Sequence, residues 1–216
     1  MLSQRTIKNK ITCSGVGLHT GKKVKLTFHP AEPNTGILFR RIDGDKVVDI
    51  PATAKNVGET TLSTTLVYED YKISTIEHLL SALAGTGVDN CIIDCDGPEI
   101  PIMDGSSTQF VFLIQTAGIV EQNAVKKFVY VTKSVQVQRD DAVARIKPYD
   151  GFRVTFTLEF DHPVYNKYPH SASIDFSQTS FIREVSRART FGLMDDLEKL
   201  KKMNLALGAN LNNAIG

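Results

Sequence analysis

An α+β fold is the class that this sequence predicts, and two observations predict it. Residues 23–28 alternate polar and apolar side chains, which is typical of a half-buried strand, and similar segments recur along the chain. One run of such segments leads to a helix in the first half, and a second run leads to a helix in the second half. We therefore expect two similar domains, residues 1–123 and 124–216, each a β-sheet packed against helices.

The composition is that of an ordinary globular protein and excludes several classes of partner. The 216 residues include 25 basic and 24 acidic side chains, so a net charge of +1 argues against a nucleic-acid partner. No apolar run approaches the roughly 20 residues of a membrane span, and the N-terminus lacks a signal peptide. We expect a cytoplasmic protein in which Cys13, Cys91 and Cys95 are reduced thiols.

The first strands are expected at residues 2–12 and 23–29, joined by a glycine-rich loop at 14–22. The loop resembles a phosphate-binding loop, but its glycine spacing is one residue too long and Lys23 stands where Ser or Thr is required. It is predicted to be a flexible hairpin loop with His19 at its tip. Three glycines in seven residues also favour a backbone that approaches a ligand closely.

Short strands are expected between residues 47 and 68, and a short helix follows at 74–85. Ser74 and Glu77 have the spacing of a capping box, and Gly85 is a natural C-terminal stop. His78 lies on the side of the helix opposite the apolar stripe, beside small residues. The stripe consists of Ile76, Leu79, Leu80 and Leu83.

Two interpretations of Glu77 and His78 follow from this spacing. In one, Glu77 closes the capping box and His78 is a surface histidine. In the other, His78 binds a metal and Glu77 handles protons beside it, as in zinc hydrolases. The pair alone does not decide between them.

The segment after the next strand (88–94) is rich in proline and glycine and is therefore expected to be ordered but not helical. Asp96, Glu99 and Asp104 in this segment are candidate ligands, or else serve turns and caps. A helix at about 107–117 is apolar almost all round, so we expect it to be buried.

The second half repeats the pattern, with strands expected at 128–138, 143–148, 151–160 and 171–176 after a polar boundary at 121–127. Ser177 is predicted to cap a helix at about 178–186, and a last helix is expected at 193–203. An arginine cluster extends from the first of these helices into the segment after it, and it forms either a solvated face or a site for an anionic substrate, with Thr190 donating a hydrogen bond. The cluster consists of Arg183, Arg187 and Arg189.

Four motifs, in order over essentially the whole chain, resemble the UDP-3-O-acyl-N-acetylglucosamine deacetylases, the zinc enzymes of the committed step of lipid A synthesis in Gram-negative bacteria. The motifs lie at residues 15–22, 74–78, 98–106 and 186–192. The resemblance implies two α+β domains with the active site between them. It also implies two inserts beside the site, a small sheet at about 43–66 and a segment from about 193 onward that forms a passage for the acyl chain.

The resemblance implies roles for individual residues, with Zn²⁺ as the cofactor and an acylated UDP-amino sugar as the small-molecule substrate of a monomer. His78 corresponds to a zinc ligand, Glu77 to the general base and Thr190 to the residue that stabilises the oxyanion. Phe160 matches an aromatic contact to the uracil. The further substrate-binding candidates are Leu18, Leu62, Phe191, Met194, Leu197 and Leu211.

The chain also departs from the family pattern. This sequence has no counterpart of the family's later histidine and aspartate zinc ligands, or of the further histidine that acts as the general acid. We expect His162 and His170 to be structural or surface residues. Residues 139–142 lack the family's hairpin lysine. We expect a C-terminally incomplete deacetylase that is inactive alone. The alternative is a non-catalytic module that binds an acylated nucleotide sugar or a partner.

Overall fold

The computed structural model describes residues 2–159, 162–163 and 165–214, and it confirms an α+β fold. The helices are α1 (Glu77–Thr86), α2 (Thr108–Ala117), α3 (Gln178–Ser180, continued by a π-helical turn Phe181–Val185) and α4 (Met194–Lys202). The strands are β1 (Ser3–Ile7), β2 (Ile11–Val16), β3 (Lys23–Pro30), β4 (Ile37–Asp43), β5 (Lys46–Pro51), β6 (Leu66–Tyr68), β7 (Tyr71–Ile73), β8 (Cys91–Cys95), β9 (Ile119–Val125), β10 (Val135–Arg139), β11 (Ala142–Ile146), β12 (Arg153–Thr157) and β13 (Ser171–Asp175).

The main sheet has five strands in the order β2-β3-β8-β4-β5, antiparallel except for the β4–β8 pair. Phe28, Ile93, Phe39 and Ile50 lie in register on four adjacent strands and are fully buried. This apolar row belongs to the same core as the buried faces of α1 and α2. Because one face of the sheet is covered by helices, α1 is held rigidly over the core.

Helix α1 has the predicted apolar stripe, but both predicted ends are wrong. Ile76 is the N-cap residue and makes no side-chain capping bond, so there is no capping box. The left-handed C-cap is Gly87, with φ of 76°. Gly85 lies inside the helix, where a Cβ atom would overlap the ring of Phe181. Gly85 is therefore a packing position for the second half of the chain.

Helix α2 was predicted within one residue of its bounds, but not its burial. Phe110, Val111 and Ile114 are buried, whereas the side chain of Phe112 is 67% exposed. The prediction of burial all round is therefore wrong. One face of α2 packs against α1 and the core, and the other meets solvent.

Strand β9 occupies most of the polar segment 121–127, which the sequence pattern predicts to be a domain boundary. It pairs antiparallel with β1, for example Ile7 with Ile119. Its exposed polar side chains are those of a half-exposed strand rather than a linker. The division at residue 123 falls inside β9, and the two-domain arrangement stays a prediction. Within residues 43–66, β5 is the edge strand of the main sheet, so the small inserted sheet also stays a prediction.

The strands of the second half form two separate antiparallel hairpins, β10–β11 and β12–β13. The strand expected at 128–138 begins only at Val135. Almost every side chain of the four strands is exposed. Contact with the first half comes instead from Phe181, which is buried, and from Ser186, whose carbonyl oxygen accepts hydrogen bonds from Ser107 and Thr108.

The three cysteines are free thiols in the structure. Burial raises the pKa of Cys13 to about 11, of Cys91 to about 12 and of Cys95 to about 11, so all three stay protonated near neutral pH. Among the described residues, no helix is both long and apolar enough to cross a membrane.

Candidate active site

The first carboxylate of α1 is held by a hydrogen bond from a neighbouring segment. The carboxylate of Glu77 is half-buried, and its Oε2 accepts a hydrogen bond from the backbone N–H of Thr64 at 3.0 Å. The interpretation of Glu77 as a capping-box residue is therefore wrong. The bond instead fixes the carboxylate against the loop that precedes β6.

His78 is half-buried, and burial lowers its pKa below the ordinary value. The negative charges of Glu77 and Asp104 oppose this shift without cancelling it. The imidazole is therefore neutral near pH 7, which is the form that binds a metal. His78 is not a fully exposed surface histidine.

Hydrogen bonds occupy all three carboxylates of the Pro/Gly-rich segment. Asp96 accepts a hydrogen bond from the backbone of Lys25, and Asp104 accepts two from Ser106. Glu99 accepts three and is fully buried. Only the contacts of Asp104 are those of a turn, because Asp96 and Glu99 bond to segments far away in the sequence.

Residues 189–190 lie against this segment. The Arg189 guanidinium donates to the carbonyl of Asp104 at 2.8 Å, and the Thr190 N–H donates to the carbonyl of Gly105 at 2.8 Å. Arg189 also donates to the carbonyl of Leu211. Backbone carbonyl groups therefore accept the hydrogen bonds of the Arg189 side chain. Thr190 lies beside residues 104–105, and the charge of Asp104 acts on His78.

A cavity of about 860 Å³ opens next to Thr190 and is lined mostly by apolar side chains. Every predicted substrate-binding residue that the structure describes lies on it, while Phe160 falls outside the described residues. The predicted residues on the cavity are Leu18, Leu62, Thr190, Phe191, Met194, Leu197 and Leu211.

The glycine-rich loop forms one wall of this cavity and is not a free hairpin tip. The chain after α4 packs against it: the N–H of Leu207 donates to His19, and the N–H of Gly208 donates to Leu18. A Cβ atom at Gly208 would overlap the carbonyl of Gly17. The close backbone contact that the glycines predicted is made with the chain's own C-terminal segment.

The sequence does not predict His19 as a site residue, and it offers Glu99 only as a possible ligand or turn residue. Both ring nitrogens of His19 are buried and have no hydrogen-bond partner among the described residues, and the ring lies on the cavity. Such atoms are costly unless a ligand or water pairs with them. The three glycines around His19 were the available sequence signal, whereas the contacts of Glu99 span about 80 residues and leave no local pattern.

Glu77 and His78 do not line the cavity themselves. Two short segments connect them to it: residues 62–64, through Leu62 on the wall and the Thr64–Glu77 bond, and residues 104–105, through Thr190. The structure therefore brings the apolar candidates and Thr190 together, with the Glu77–His78 pair beside them.

The residues described do not form a complete metal site. Zinc in hydrolases has three protein ligands, and no group of three His, Cys, Asp or Glu side chains suited to a metal exists within residues 2–159, 162–163 and 165–214. His78 is one suitable donor, but its neighbours Glu77 and Asp104 already accept hydrogen bonds.

The motif resemblance is tested by comparison with known proteins. A family model described as UDP-3-O-acyl N-acetylglycosamine deacetylase (LpxC) matches residues 4–216. The chain belongs to this family. Curated deacetylases of this name from Methylococcus capsulatus and Alcanivorax borkumensis are each 58% identical to it over 215 residues, and one from Coxiella burnetii is 55% identical. The matches cover 100% of this chain and 71% of each relative.

Gly105 lies where the segment beside Thr190 meets the C-terminal segment. Gly105 has φ of 82°, and a Cβ atom there would overlap the carbonyl oxygen of Asn213. Gly44 has a similar φ of 60° but open space around it. Substitution of each glycine in turn therefore distinguishes the cost of backbone strain from the cost of a lost contact.

We expect Gly105→Ala to reduce the free energy of unfolding by about 2–5 kcal/mol, the sum of left-handed strain and overpacking. Gly44→Ala should cost only about 1–2 kcal/mol, for the strain alone. Urea unfolding measures both. Limited trypsin digestion should also cut Gly105→Ala faster at Lys199, Lys201 and Lys202. Equal losses in the two variants would contradict the proposed packing.

Proposed function

We propose that this chain carries the substrate-binding and part of the catalytic apparatus of a deacetylase that removes the N-acetyl group of UDP-3-O-acyl-N-acetylglucosamine in lipid A synthesis. The observation that carries the proposal is the large apolar cavity lined by Thr190, to which residues 62–64 and 104–105 connect the Glu77–His78 pair. Family membership supports the proposal, because the curated relatives are named as deacetylases of this substrate.

The chain's own residues divide the work of amide hydrolysis. The Glu77 carboxylate, fixed by the Thr64 N–H, takes the proton of the attacking water and returns it to the leaving amine. The Thr190 hydroxyl donates to the developing oxyanion, and one such donor can be worth about 3 kcal/mol. Thr190 is held in place through its N–H, which leaves the hydroxyl for this role.

We propose that the enzyme is zinc-dependent and that His78 is one of its ligands. Bound zinc would lower the pKa of a water molecule and polarise the acetyl carbonyl. The neutral form of the half-buried His78 supports the assignment. No group of three metal ligands that includes His78 occurs among the described residues, so we expect the 216-residue chain to be inactive alone.

The cavity is suited to a long acyl chain. Each buried methylene contributes about 0.8 kcal/mol, so an apolar passage selects acylated over unacylated substrate. The residues from 193 onward supply much of its wall, which supports their assignment as the second insert. The unpaired ring nitrogens of His19 would meet a polar part of the substrate. The contact of Phe160 with the uracil stays a prediction.

The alternative is a non-catalytic module that binds an acylated nucleotide sugar or a partner. The incomplete donor set among the described residues is compatible with it. The coding sequence beyond Gly216 separates the two proposals. A downstream His-Lys-x-x-Asp supports the enzyme, and an immediate stop codon supports the module.

We expect His78→Ala in the full-length protein to reduce acetate release to the background rate, because a metal ligand is lost. Glu77→Gln should reduce kcat by about 10²–10⁴-fold, because the general base is lost while its shape is kept. His170→Ala, which removes a ring packed at a tilt against Tyr165, is the control and should retain activity. Normal turnover in His78→Ala would contradict the proposed site.

We expect Leu197→Glu to lower kcat/KM for a long-chain substrate by more than about tenfold, because a charge enters the apolar passage. A short-chain substrate should be affected much less. Leu2→Glu, at an exposed leucine remote from the cavity, is the matched control. A steady-state comparison of the two substrates measures the difference. The same loss for both substrates would place the acyl chain elsewhere.

A further inference from the structure

Glu99 is a fully buried carboxylate that touches two parts of the candidate site at once. Its Oε1 accepts hydrogen bonds from the backbone N–H of His19 at 2.8 Å and the Thr75 hydroxyl at 3.0 Å. Its Oε2 accepts one from the backbone N–H of Thr20 at 2.8 Å. No ion pair to Glu99 exists among the residues that the structure describes. These three donors therefore stabilise its charge.

On one side, the carboxylate fixes the glycine-rich loop. A Cβ atom at Gly17 would overlap Oε2, so only glycine lets the loop backbone come this close. Leu18 and His19 lie on the cavity wall immediately after this point. The position of that wall is thus set by Glu99 rather than by the hairpin turn.

On the other side, the carboxylate fixes the residue two positions before Glu77. Thr75 is buried and has φ of 58°, a conformation that is costly for a β-branched residue. Backbone pairing holds the same segment: the Ser74 N–H donates to Pro98, and the Ile100 N–H donates to the Ser74 carbonyl. Strain of this kind persists where surrounding contacts over-determine it, and it is frequent at functional sites.

A purely stabilising role does not account for this arrangement. A buried charge contributes little net stability compared with an apolar residue of similar size. What its three bonds provide is a fixed geometry between two segments about 55 residues apart in sequence, 19–20 and 75.

We propose that Glu99 is a positioning residue that holds the substrate-facing loop and the start of α1 in one fixed relation. Through Thr75 it sets the placement of Glu77 and His78 relative to a substrate seated on the cavity wall. The inference rests on the proposed deacetylase function. A misplacement of about 1 Å at a reacting centre can cost about 10²-fold in rate, so the effect is measurable.

The test compares Thr75→Val, Glu99→Gln and Thr75→Ser in the full-length enzyme. Thr75→Val keeps the shape and removes only the donor to Glu99, so kcat should fall about 10- to 100-fold with KM nearly unchanged. Glu99→Gln places an amide NH₂ against the Thr20 N–H, so KM should rise as well. Thr75→Ser keeps the hydroxyl and should retain most of the wild-type kcat.

Thr6→Val is the matched control, because Thr6 is also buried and its hydroxyl also joins distant segments, at Asn90 and Ala31, away from the site. It should lower the melting temperature without lowering kcat. If Thr75→Val kept the wild-type kcat, or lost it only in proportion to stability as Thr6→Val does, the positioning role would be overturned.

The ring resonances of His78, recorded by NMR without metal, give a readout independent of turnover. They should shift in Thr75→Val and Glu99→Gln and stay in place in Thr75→Ser and Thr6→Val. A wild-type enzyme without deacetylase activity would overturn the proposed function, yet these spectra would still decide whether Glu99 positions His78. Unchanged spectra in Thr75→Val would overturn the positioning inference even in an active enzyme.

Discussion

The hydrogen bonds to the buried Glu99 carboxylate are the constraint on which the candidate site depends. A carboxylate removed from water must be fully satisfied, and the donors that satisfy it belong to the glycine-rich loop and to Thr75. The C-terminal segment packs on this loop, where the N–H of Gly208 donates to Leu18, and residues of that segment line the cavity. The wall of the cavity and the start of α1 are thus two ends of one network.

The sequence predicted those elements whose pattern is local. The alternation in β3 and the stripe on α1 reflect a one-sided burial that any neighbouring core would impose. The stripe is confirmed, whereas the alternation holds only as far as Leu26, because Thr27 and Phe28 are both buried. The ends of α1 were predicted wrongly because distant residues decide them. The carboxylate of Glu77 accepts a hydrogen bond from the Thr64 N–H instead of closing a cap, and Phe181 packs on Gly85. Neither contact leaves a signal in the helix's own residues.

The residues of the candidate site have a different source from the elements of the fold. The residues on the cavity were named from the family resemblance, which carries three-dimensional information that periodicity lacks. For Glu99 the sequence left a ligand role and turn chemistry both open, because its partners His19 and Thr75 are far away in sequence. The polar stretch of β9 was interpreted as a boundary because an edge strand with one solvated face resembles a linker in composition.

The most direct test of this account is native-state hydrogen exchange of the backbone amides of His19 and Thr20. If both donate to a buried carboxylate, they should be protected to within about tenfold of the amides of β3, although they lie in a glycine-rich loop. The amide of Gly44, in an open turn, is the internal reference for fast exchange. Exchange of His19 and Thr20 as fast as that of Gly44 would show that Glu99 does not hold the loop.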